Sequence, residues 1–537
     1  MQRELLIRNL YHVQPSSHLL VHIDNRLANR ETVVDWNGNL MGPILDEQGL
    51  EQGGSNSSDY YKIYGKEILT LPQQSLLGLK IGPLNVSCIG QADDTLLLAT
   101  DISSLFYQLE LVKSSCKKNR IDLSAEKTIL QLYSKMKPDE NDFNHLNING
   151  KSIPFSSQAS HVGIVRSIHG NEPAILDRIT AHRKALAAVM FTGLAKGHRA
   201  NPMISIRVEK IYATPVLLSG IASLVLTKKD IEMIDHHYQE TLRRLLRLHR
   251  NTPRSFIYFL AGCLPGAALV HMRQLSLFSM ICRLDSSNIL YQHSKNVLSS
   301  VVHFRGSWLH QIREWCLMYQ LPHPSHLFER PLTKSTFKIT VKKQVINYWE
   351  NVLRKEAFQL KSLSLFRPEY MSLCTPHLLW KTAGFNPTKV AMATVQALFL
   401  SGRYRCGSLT RHWALSSNDG SCQLAFECQG IIEDVSHILH CCPGLRNVRL
   451  GLYDYTTIYS STLPVPLMQL LRAKCSPDNP SFVAFLLDCS TDPDAIFLAK
   501  NIGHEVFDHL FDVTRTWAYV IHRERLKMLG RWRPVRN

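Results

Sequence analysis

Acid is in short supply in this chain. Its 537 residues hold 44 Asp and Glu against 61 Lys and Arg, a formal net charge of +17. A deficit this large points away from cationic partners and towards an anionic one, of which nucleic acid is the usual example. Long apolar runs are also missing. The longest, Pro215 to Leu226, is broken by Ser219, Gly220 and Ser223 and is too short to span a bilayer. The opening MQRELLIRNL carries charges and no apolar core, so no secretory signal is expected. No internal repeat or low-complexity tract is visible, which excludes a repeat architecture.

What is present describes a folded chain. Hydrophobic residues make up 45% and charged residues 20%, enough to build cores throughout two to four domains. The thirteen cysteines are an odd number in a long chain. A disulfide framework is not expected, and a reduced intracellular setting, nucleus or cytoplasm, fits better.

Over the first 170 residues short strand-like runs alternate with Gly and Asn turns. LLVHID and TVVDW read as strands. After Gly53-Gly54, Tyr61, Tyr64, Ile68 and Leu71 fall at helical spacing until Pro72. Val86 to Ile89 and Thr95 to Thr100 then flank Asp93-Asp94, which predicts a hairpin with the two acids at its turn. Ile102, Leu105, Phe106, Leu109, Val112 and Cys116 share one helical face, and IDLSAEKTILQLYS reads as turn and strand. From about Pro173 to Leu400 helices dominate. Two stretches are rich in cations: Arg178, His182, Arg183, Lys184, Lys196 and Arg199, then Arg243, Arg244, Arg247, His249 and Arg250. Either could track phosphates.

Adjacent carboxylates repel, so placing two at a rigid turn makes sense where a cation relieves them. Hard carboxylate oxygens suit Mg²⁺, which keeps part of its water shell and bridges to substrate phosphates. Four stretches occur in order: Glu51-Gln52-Gly53-Gly54 with Ser57, Gln91-Ala92-Asp93-Asp94, Ala125-Glu126-Lys127-Thr128 and His161-Val162-Gly163-Ile164. This order resembles the reverse transcriptase of non-LTR retrotransposons over roughly residues 1–170, and again at 400–450. The resemblance implies that Asp93 and Asp94 are palm carboxylates holding catalytic Mg²⁺. It implies that Gln52, Gly53 and Gly54 form the loop under an incoming deoxynucleoside triphosphate, with Lys127 near the triphosphate. RNA template and DNA primer or target are the implied partners.

Two departures matter. The family's aromatic residue two places before the acidic pair is Gln91 here. The family's earlier motif, an Asp on a strand followed by Ala-Phe-Asp, is absent, and the opening helix resembles the one that follows it. Asp24, Asp35 and Asp46 lie upstream without the expected context. With two of three carboxylates, the isolated chain is expected not to extend primers.

Five cysteines fall between Cys406 and Cys442. Cys422, Cys428, His437 and one of Cys441 or Cys442 make a CCHC set suited to tetrahedral, structural Zn²⁺. Helical spacing from His437 favours Cys441. The resemblance favours Cys442, because the family carries a zinc knuckle ending in Cys-Pro, here Cys442-Pro443. Cys442 is taken as the ligand, with Cys441 as the alternative. Arg403, Arg405, Arg411 and Arg446 flank the set and could grip nucleic acid.

The expected fold is α+β: a partial reverse-transcriptase palm, an antiparallel sheet backed by two helices, at 1–170. A thumb-like helical region (171–255), a helical connector (256–400), the CCHC segment (401–450) and a basic helical tail (451–537) follow. The connector carries no readable chemistry. Two functions compete: an RNA-directed DNA polymerase region, and a non-catalytic nucleic-acid binder of the same descent.

Overall fold

The computed structural model describes every residue except 1, 14, 29, 47–48, 51–53, 134–142, 144–145, 191–199, 301–303, 411–418, 477 and 531–537. The chain is mixed α+β and mostly helical, and its strands pair only as antiparallel, two-stranded ribbons among the described residues. It forms two compact units, residues 1–174 with 284–304, and residues 175–283 with 305–537.

In the first unit, helices Arg3–His12 and Ser17–Leu27 pack with Ser57–Tyr64 around Leu6, Leu10, Ile23 and Tyr64. Ser16 caps the second helix by accepting from Leu19 N–H. LLVHID, expected as a strand, therefore lies inside a helix; Leu20 and Ile23 turn into the cluster at helical rather than alternating spacing. The ribbon Arg30–Trp36/Asn39–Asp46 contains the expected TVVDW strand. Two strands alone bury neither face, and Trp36, Leu40 and Met41 lie exposed.

Gly65 separates Ser57–Tyr64 from the next helix, Lys66–Gln74. Pro72 does not stop that helix as expected, but sits within it. The hairpin Cys88–Gln91/Asp94–Leu97 lies on this helix and on Ile102–Lys118. Asp101 caps the latter through Ser104 N–H. Leu69 presses so closely under Gly90 that a Cβ there would come within 2.7 Å of its side chain. The described residues of the IDLSAEKTILQLYS stretch form a turn with one isolated bridge, Leu130 to Phe155, and no regular strand. Val162-Gly163 forms the tip of a hairpin, Gln158–His161/Ile164–Ser167.

The second unit is helical. Its centre is the pair Arg254–Ala261 and Gly266–Ile281, in which every residue from Ser255 to Ala261 is buried. Lys228–Leu245 and the long Lys334–Gln359 pack on them. Farther along the chain, Val506–Met528 packs against Pro387–Leu400, Arg446–Ser460 and Phe482–Leu487. Trp517 is fully buried there and donates to Thr456 Oγ1 at 2.8 Å.

Several buried polar side chains hydrogen-bond to one another. His182 Nε2 meets Glu209 Oε1 at 3.2 Å, its Nδ1 meets His237 Nε2 at 2.9 Å, and Thr214 donates to Glu209 at 2.6 Å. His271 stacks on Trp315 and meets Tyr319 Oη at 2.6 Å. The first cation-rich stretch is thus partly structural: His182 is fully buried and Arg178 pairs with Asp177. Lys196 and Arg199 lie outside the described residues. In the second stretch, Arg243 donates to Thr252 O and Arg247 to Ala200 O.

Burial, with neighbouring cations in two cases, holds His237 and His522 down to about 4, and burial holds His271 to about 3. An unfolded histidine protonates near 6.5, so the unfolded chain gains these protons first as pH falls. Stability from the three is complete above about pH 6.5 and is lost as pH falls to about 4 for His237 and His522 and to about 3 for His271. Thermal melts should show a falling midpoint across that window, with a shallower fall for His271→Gln. Trp517→Ala should cost about 3–5 kcal/mol in urea unfolding.

Candidate metal centre and the acidic turn

Residues 421–432 fold back on themselves: Cys422 N–H donates to Ile431 O at 2.8 Å, and Ile431 N–H to Cys428 O at 3.0 Å. Gly430, at φ +81°, makes the reversal. The chain then enters a short π-helical turn, His437–Cys441, closed by Cys442 N–H on His437 O at 2.7 Å. In an α-helix Cys441 would share the face of His437. The wider turn passes that position to Cys442. Cys441 is exposed and Cys442 is fully buried, so the choice left open by the sequence falls on Cys442.

Cys422, Cys428, His437 and Cys442 are all buried, and their ligand atoms lie within 4.8 Å of one another. The Cys442 sulfur is 3.7 Å from those of both Cys422 and Cys428. Two thiolates at the usual Zn–S distance of about 2.3 Å, at a tetrahedral angle, stand about 3.8 Å apart. His437 Nε2 is buried with no hydrogen-bond partner. Three thiols and an orphaned imidazole nitrogen at this spacing fit zinc, with all four positions filled by protein. Burial pushes the Cys422 and Cys442 thiols up and His437 down. The thiols are thereby held neutral in the absence of a cation and a bound cation reverses that, while the lowered His437 is already in the neutral form that binds metal.

Groups around the set favour thiolate. Leu424 N–H faces the Cys422 sulfur and Gly444 N–H faces that of Cys442, each lowering the thiol pKa. A Cβ at Gly444 would meet Leu424 O at 2.7 Å, so the two backbone turns touch where only glycine fits. Arg449, buried, donates through Nη2 to Cys442 O at 2.7 Å, and its Nη1 has no partner. Three thiolates on Zn²⁺ leave one negative charge, which this guanidinium can offset. Glu433 receives Arg525 bidentately at 2.8 and 2.6 Å and Gly407 N–H at 2.9 Å, tying the loop to helix Val506–Met528.

Sequence reasoning missed Arg449, Glu433 and Arg525. Arg449 left one trace: it lies on the buried stripe Arg449, Leu452, Thr456 and Ser460 of its helix, where a charge requires a partner. Among the flanking arginines, Arg405 and Arg446 are exposed, Arg403 is half-buried, and Arg411 lies outside the described residues.

The acidic pair has a different setting. Gln91 pairs with Asp94, leaving Ala92 (φ +54°) and Asp93 as the two-residue turn. Both carboxylates are exposed. Tyr61 lies close enough that Asp93 adds to burial in raising its pKa. Among the described residues, no third Asp, Glu, His or Cys joins them to form a cation-binding group. Asp24 pairs with Arg3 at 2.8 Å on a helix, and Asp35 accepts from Gly38 N–H at 2.9 Å, so each is used locally. Asp46 ends a strand paired with Arg30. The pair alone is therefore not a preformed Mg²⁺ site. Lys127 is exposed in a turn over Ser124. Gln52 and Gly53 lie outside the described residues. Gly54 lines a cavity of about 350 Å³ with Arg26, Arg30, Asn56 and Tyr60.

No protein-family model matches the chain, and no curated protein matches it significantly.

Chain purified without chelator should carry one equivalent of zinc by elemental analysis. Cys442→Ser should lose it and Cys441→Ser should keep it. Arg449→Ala should weaken zinc about 10–100-fold in a competition titration with a chromogenic chelator.

Proposed function

We propose that this chain is a region of a non-LTR retrotransposon reverse transcriptase, carrying part of the palm, a helical thumb-like and connector region and a zinc knuckle. On this reading it holds RNA and DNA but does not polymerise by itself. The observation that carries the proposal is the acidic doublet at the tip of a two-stranded hairpin backed by two helices, within the ordered motifs given above. On this reading nucleotide phosphates sit in the Gly54 cavity, bordered by Arg26 and Arg30.

In the complete reaction a primer 3′-hydroxyl attacks a deoxynucleotide α-phosphate, and Mg²⁺ supplies charge neutralisation at the phosphates. Asp93 and Asp94 would hold that ion from the turn, whose rigidity comes from Leu69 and the flanking helices. The ordinary Mg²⁺ site takes one or two carboxylates and completes itself with water and substrate oxygens. A two-metal reaction needs a further carboxylate to bridge the ions. Its absence beside Asp93 and Asp94, among the described residues, supports the second reading, a non-catalytic binder.

Primer extension on an RNA template with Mg²⁺ and deoxynucleotides should give no product, while the same RNA should shift on a gel with affinity falling steeply as salt rises. Mg²⁺-dependent incorporation would overturn the binder-only reading. Failure to bind RNA or DNA even at low salt would remove the whole proposal.

A further inference from the structure

We propose that the N-terminal half of helix Lys334–Gln359 is a docking surface for the phosphate backbone of a nucleic acid. This goes beyond the motifs above, which leave the region without a role, and it rests on the reading of the chain as a nucleic-acid binder.

From Arg330 to Trp349 the sequence carries five cations, Arg330, Lys334, Lys338, Lys342 and Lys343, and no acid. All five are exposed, and among the described residues none forms an ion pair. The acids farther along the helix are already engaged: Glu350 with Arg354 at 3.0 Å, and Glu356 with Arg254 at 2.8 Å. Lys334, Lys338 and Lys342 follow at four-residue intervals, each rotated only slightly from the last, in a stripe about 12 Å long. That length matches roughly three phosphates of a duplex strand at about 3.4 Å each. Lys210, whose Nζ donates to Gly262 O at 2.8 Å, extends the positive field: it and Lys342 both act on the thiol of Cys374.

Intramolecular energetics argue against this arrangement. Like charges at i,i+4 destabilise a helix. Cations in the first turns also oppose the positive end of the helix dipole. Lys334 carries both penalties and Lys338 and Lys342 the first, and the acids farther along the helix are engaged elsewhere. The other cation-rich stretches differ in part: Arg178, Arg243 and Arg247 are spent on intramolecular partners, while Arg183, Lys184, Arg244 and Arg250 stay exposed. A polyanion supplies the missing return, and a row of mobile ammonium groups suits sequence-independent contact with phosphates.

The test uses the full zinc-containing chain and a fluorescein-labelled RNA annealed to a DNA primer, titrated over a salt series. The variant K334A/K338A/K342A changes only exposed positions and favours helix; its melting midpoint should stay within a few degrees of the parent. Its low-salt affinity should fall about tenfold or more, and its log–log salt slope should lose about 2–3 units. K334R/K338R/K342R should bind as the parent does, and the single K338E should lose affinity in a smaller step. If the parent binds and the alanine variant keeps the same slope, this proposal fails while the binder reading stands. If the arginine variant loses as much as the alanine variant, charge is not the cause and the proposal also fails. No binding by the parent removes both proposals. Capture by phosphatidylserine vesicles without binding to the RNA–DNA probe overturns the choice of partner.

Discussion

Cys422, Cys428, His437 and Cys442 turn their ligand atoms into one small space from which water is excluded. Buried polar atoms without partners are costly, and the His437 Nε2 atom has none within the protein. A tetrahedral cation would satisfy all four groups together and convert their spacing into a cross-link. The surroundings depend on that point. Gly444 and Leu424 touch backbone to backbone, Arg449 lays its guanidinium against Cys442, and Glu433 carries the constraint to Arg525. A buried pair such as Glu433–Arg525 is not in itself a strong source of stability. Its geometry, with Gly407 N–H as a third donor, is better suited to fixing how the loop meets the C-terminal helix.

The acidic turn is built in the opposite manner. Its backbone is held from below by Leu69, by Gln108 donating to Leu98 O at 3.1 Å, and by Gln73 accepting from Ser87 N–H at 3.0 Å. Its carboxylates face solvent. The Cys422, Cys428, His437 and Cys442 cluster is closed by protein and leaves no position for substrate; the acidic turn is open and short of ligands. On the reading proposed above, the first serves architecture and the second was shaped for chemistry that this set of residues does not complete.

Charge follows the same division. The sequence places cations in many helices, but the fold consumes some of them. Arg515 is wholly buried and donates to Phe511 O and Thr382, and Arg243 and Arg247 cap backbone carbonyls. What remains for a partner is the exposed remainder, of which the row along Lys334–Gln359 is one part.

Much of the local structure was legible in the residues. The hairpin around Asp93-Asp94 followed from its flanking apolar runs, the helix Ile102–Lys118 from its single apolar face, and the ligand set from the chemistry of Cys and His. LLVHID was misread because a short run with four apolar residues fits either period, and packing against Tyr64 decides between them. The choice between Cys441 and Cys442 turned on one extra residue in a helical turn, a departure with no signature in spacing. Arg449, Glu433 and Arg525 lie up to 92 positions from their partners, so pairing them required the tertiary fold. Sequence by itself determined which groups are able to bind metal and which face of each helix is apolar, because both are properties of composition and period. Tertiary structure alone decided which thiol turns inward and which cations stay in water, because burial depends on what distant segments pack together.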